Sequence, residues 1–69
     1  MSMPEECVYE VWDIETGNVV IAYDHQEKAV VYAQTCEELP LAVLKVNAAG
    51  QAKMVYETAA ARATNLPPS

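Results

Sequence analysis

The chain contains only two glycines, Gly17 and Gly50, and each interrupts a run of β-branched, aromatic and aliphatic residues. No other feature constrains the fold as much. Glycine enters the left-handed backbone region without steric cost, so it marks where an extended chain can reverse. Before Gly17 stands CVYEVWDI, residues 7–14, and after it NVVIAY, residues 18–23. Both have the composition of strands. They predict a hairpin with the loop Glu15-Thr16-Gly17, in a register that opposes Ile14 to Asn18, Val11 to Ile21 and Tyr9 to Tyr23.

Two-residue alternation then sorts the side chains of this hairpin. One face takes Cys7, Tyr9, Val11, Val19, Ile21 and Tyr23, with Asp13 near the tip. It is the better core face. The other takes Val8, Trp12, Ile14, Val20 and Ala22, mixed with Glu10, Asn18 and Asp24.

After the hairpin, Asp24 and Glu27 have capping-box spacing, and Ala29, Tyr32, Ala33 and Cys36 recur at helical intervals before Pro40. A helix over 25–38 is expected. LAVLKVNAAGQAKMVYE, residues 41–57, then reads as a second hairpin around Ala48-Ala49-Gly50. In it Leu44 faces Met54, Ala42 faces Tyr56 and Val46 faces Ala52, while Lys45 meets Lys53 and needs Glu10 or Asp24 nearby to ease the repulsion. A short helix over TAAARAT, residues 58–64, would follow. The competing reading joins Ala52, Val55, Tyr56, Ala59, Ala60 and Ala63 into one long amphipathic helix.

The fold class is therefore α+β: a four-stranded antiparallel sheet of two hairpins, one helix on one face and a short C-terminal helix, with ββαβα as the alternative. Residues 1–63 form a single domain and 64–69 a flexible tail. The YEVWDIETGNVV opening, the helix around EKAVVYA and the strand, glycine turn and strand that follow resemble a group of small uncharacterised bacterial proteins of ββαββα order. The resemblance implies this topology and no activity.

At 69 residues, the chain is close to the size below which a single core needs help, and self-association would supply it. Its hydrophobic fraction of 52% is that of a folded body, so the net charge of −6 belongs to a solvated surface. With Lys28, Lys45, Lys53 and Arg62 as the only basic residues, direct nucleic-acid binding is not expected. MSMPEECVY has no signal-peptide character and no segment reaches bilayer-spanning length, which predicts a cytoplasmic protein without membrane contact and with reduced cysteines.

Several chemistries fail on spacing. Asp13, Glu15 and Asp24 fall at three positions of a calcium loop, but an apolar strand fills the rest of it. Cys7, His25 and Cys36 lack the paired spacing of a zinc site. Cys36 and His25 would sit about 16 Å apart on one helix. Cys7 could approach His25, yet no orienting third group is visible. No catalytic residue, cofactor or metal is expected, and the protein is not read as an enzyme.

Trp12 is the residue that calls for a role. With Val8, Glu10, Ile14, Val20 and Ala22 it forms a face that a single helix leaves uncovered, and such a patch is suited to a protein partner; in the reversed assignment Trp12 lies under the helix and Tyr9 and Tyr23 face outward. The expectation is an interaction module, a homodimer or a pair with another protein. The second hypothesis is an acidic inhibitor, antitoxin-like or phage-encoded, that blocks a basic surface through Glu5, Glu6, Glu10, Asp13, Glu15, Glu37 and Glu38.

Overall fold

Each glycine reversal is built from the same parts. In the computed structural model, which describes residues 7–65, Gly17 has φ of +76° and Gly50 φ of +85°. Asp13 folds its carboxylate back onto the first turn, with Oδ1 accepting from the N–H of Glu15 at 2.9 Å and of Thr16 at 3.3 Å. Asn47 does the same at the second, accepting from Ala49 and Gln51, each at 3.0 Å. A short polar side chain that satisfies turn amides, followed by glycine, makes the reversal local and self-contained.

These turns close the hairpins β1 (Val8–Asp13) with β2 (Asn18–Tyr23), and β3 (Leu41–Val46) with β4 (Ala52–Glu57). The strands form one antiparallel sheet in the order β2-β1-β3-β4. Helix α1 (Gln26–Gln34) packs on one face, and α2 (Ala59–Asn65) follows β4. The hairpin reading of residues 41–57 thus holds over the long C-terminal helix. α2 runs two residues beyond 63, the expected domain boundary.

The core lies between α1 and the sheet. Val11 and Val43, opposite each other on β1 and β3, are fully buried together with Ala29 and Ala33 of α1, and Leu41 is nearly so. Tyr9, Ile21, Tyr23, Tyr32, Val55 and Tyr56 pack around them. The alanines matter because a small side chain lets the helix approach the sheet closely.

Both registers match expectation up to one point in each hairpin. Tyr9 opposes Tyr23 and Val11 opposes Ile21, but a bulge then leaves Trp12 opposite Val19 and Asp13, rather than Ile14, opposite Asn18. Val19 therefore lies on the Trp12 face and not with the core, since two residues of β2 now stand against one of β1. Leu44 opposes Met54 and Val46 opposes Ala52, but a second bulge sets Val43 against Tyr56 and Ala42 against Glu57. Tyr56 accordingly turns to the core side.

Two further expectations are corrected. α1 starts from His25, whose backbone is extended and whose side chain makes no capping bond, so Asp24 does not cap it. The helix also ends at Gln34 rather than 38. Thr35 Oγ1 donates to the Tyr32 carbonyl at 2.6 Å, and tighter turns carry the chain onward, Cys36 to Ala33 and Leu39 to Cys36.

A Cβ placed on Gly17 or Gly50 would meet nothing within 4 Å, so only backbone conformation opposes a side chain there. Gly17→Ala and Gly50→Ala should each lower stability by about 1–2 kcal/mol, read as a shift in urea midpoint without a change in slope. An unchanged midpoint would show that the turn does not require the left-handed region.

Candidate functional site

Register defines the face that α1 leaves open. Glu10 lies between Ala22 and Leu44, Trp12 between Val19 and Ala42, and Val8 opposite Val46. Met54 and Ala52 extend the row onto β4 through their partners Leu44 and Val46. Directly opposed residues of antiparallel strands share a face. Val8, Glu10, Trp12 and Ala22 therefore stand together, Val20 is the extra residue of the bulge with no partner on β1, and Ile14 lies in the turn beyond the last β1–β2 pair, where its N–H donates to the Pro40 carbonyl at 3.0 Å.

The face is larger than the first hairpin alone suggests. Leu44, Val46, Met54 and Val19 join it, because the two hairpins meet along β1 and β3. Val8, Val19, Val20 and Met54 keep between 44% and 49% of their surface exposed. The signal that could have found this was the apolar side already visible in 42, 44, 46, 52 and 54; the strand order was what was missing.

Trp12 is half-buried and fixed in place. Its indole Nε1 donates to Glu10 Oε1 at 3.0 Å, a bond between neighbours on one face of one strand. Charges on this face are acidic, Glu10 and Glu57, and the Arg62 Nε stands 3.8 Å from a Glu57 carboxylate oxygen. Lys45 and Lys53 oppose each other on the helix side, with Lys45 also opposite Tyr9. Glu10 cannot relieve that pair, being on the other face, and Asp24 lies 3.8 Å from His25 instead.

A polar cluster that sequence reasoning did not assemble holds α2 in place. Thr58 is fully buried. Its Oγ1 accepts from the Leu41 N–H at 3.1 Å and from the Ala61 N–H at 3.2 Å, and it donates to the Leu39 carbonyl. The Ala61 bond is that of a threonine N-cap to the third helical residue. Glu37 completes the arrangement, with its carboxylate accepting from the Tyr56 hydroxyl and from the Ala59 N–H at 2.9 Å.

These bonds set the ionisation of both partners. The Tyr56 hydroxyl, then the Ala59 N–H, hold the Glu37 carboxyl below the usual carboxylate range. In return, the bond to Glu37, with some burial, pushes the Tyr56 phenol above its ordinary value.

Of the carboxylates that a phosphate mimic would present, Glu5 and Glu6 lie outside the described residues. Glu10, Asp13 and Glu37 already accept hydrogen bonds within the chain. Among the described residues no group of three or more histidine, cysteine, aspartate or glutamate side chains could hold a metal ion, and Cys7 and Cys36 are unbridged. No helix of the described residues is long and apolar enough to cross a membrane. Compared with known proteins, the sequence matches no family model, no curated protein and no solved structure.

The Glu37–Tyr56 bond predicts an acid limit to stability. Because the Glu37 carboxyl is held lower in the folded than in the unfolded chain, its contribution is complete above the ordinary glutamate value and falls away as pH drops through the folded one. Tyr56 contributes below the ordinary tyrosine value and stops contributing as pH rises through its raised folded value. In Tyr56→Phe, stability should depend less on pH across the carboxylate range. Identical acid profiles for the two proteins would refute the assignment.

Proposed function

We propose that the protein is a non-enzymatic interaction module that self-associates by burying the open sheet face around Trp12 against a second copy. The observation that carries this reading is the one-sided packing of α1: it covers Val11 and Val43, while on the other side Val8, Val19 and Met54 stay 44–49% exposed around the half-buried Trp12. The hydrogen bond to Glu10 supports it further. An aromatic side chain already held in one orientation loses less freedom on binding, and tryptophan is among the residues that most often dominate an interface.

Size sets the strength of such a contact. Four strands of six residues span roughly 20 by 20 Å, about half of what a standard interface buries on each partner. Association through this face alone is weak and concentration-dependent, with Trp12 as its main contributor.

Trp12→Ala should leave the far-ultraviolet circular dichroism unchanged and weaken association by at least about 2 kcal/mol, roughly thirtyfold, in light-scattering mass measured across a concentration series. An unaltered mass profile would remove the open face from the assembly. Loss of the folded spectrum would instead make Trp12 a residue of the fold.

A further inference from the structure

We infer that β2 is a second, separate self-association edge, along which two copies pair antiparallel, β2 to β2, to continue the sheet across a two-fold axis. β2 and β4 are the two edge strands, and they differ in chemistry. β4 carries Lys53 and Glu57, the kind of charge that deters pairing on an edge. NVVIAY of β2 carries no charged side chain and no proline. Its one deterrent is the bulge near Val19 and Val20, at the turn end of the strand.

Beside this edge, on the helix side, runs a groove of about 560 Å³ lined by Tyr23, Glu27, Lys28, Val31, Tyr32 and Thr35. The Tyr23 and Tyr32 rings line it, tilted at 52° with centroids 6.2 Å apart. Val31 is 56% exposed. An extended peptide would satisfy the edge backbone of β2 but would set only its alternate side chains beside Val31, with no second helix. A second copy brings its own α1 to the same side of the joined sheet, and identical antiparallel strands are self-complementary about a two-fold.

Charge favours the same occupant. Between Asn18 and Gln34 the charged residues are Asp24, Glu27 and Lys28, so this region holds one of the chain's six net negative charges. Two copies can approach here with less repulsion than elsewhere, and salt screens what remains. Pairing would also merge two open faces into one near standard interface area. That last point rests on the Trp12 reading; the strand pairing itself does not.

The test is hydrogen exchange of the β2 amides at widely spaced protein concentrations, alongside light-scattering mass for the full chain, Val31→Lys and Trp12→Ala. Alternate amides of Asn18–Tyr23 should gain protection as concentration rises. Val31→Lys, exposed on α1 and remote from the open face, should raise the dissociation constant at least tenfold while keeping the monomer's spectrum. Salt should tighten association. In Trp12→Ala the β2 protection should persist, which separates this edge from the open face. A chain whose β2 amides exchange freely at every concentration overturns the inference and leaves the edge to a partner of other sequence. So does a Val31→Lys protein that associates like the wild type.

Discussion

The ladder between β1 and β3 is the constraint on which everything else in this molecule depends. Each hairpin is local and half-finished, with one apolar side and too little surface to bury it. Aligned through Val11 and Val43, the two hairpins present a single platform wide enough for α1. Without that register Ala29 and Ala33 would have no surface to approach, and Leu44 and Met54 would not share a face with Trp12. The same ladder thus creates both the covered face and the uncovered one.

α2 depends on the platform in a different way. It buries Ala61 against the fold, but its position is specified mainly by polar groups: Thr58, which ties the start of β3 to the start of the helix, and Glu37, which reaches the helix from the turns after α1. Thr58 also takes part in the backbone bond from its own N–H to the Leu41 carbonyl. A buried hydroxyl with three partners is strongly directional, and it explains how a helix of seven residues, too short to persist alone, is held in one place.

Much of the fold was legible in the sequence because its signals are local. A glycine between two strand-like runs gave both turns, and alternation gave both hairpins and the core side of β1. What misled was also physical. A bulge reverses alternation beyond it, and nothing in the β-branched stretch of Val19 and Val20 marks which residue is the extra one. The Glu37–Tyr56 bond spans 19 positions and leaves no pattern. Thr58 before three alanines is a recognisable cap in hindsight of its burial, whereas Asp24 had the better capping spacing and is passed over because α1 begins one residue later. For the open face, Trp12 was readable as its centre, but its extent followed only from which strands meet.

The strand order has a consequence for how the molecule assembles itself. Both hairpins close over a few residues, a process of microseconds, while the central ladder must bring together strands separated by the whole segment 14–40. The last step to form is therefore also the one that shields the core, and α1 lies within the very loop that has to close. Until it does, each hairpin displays Val11 or Val43 beside the faces that stay open in the finished fold, so the nascent chain has two sticky sides where the native one has a single side.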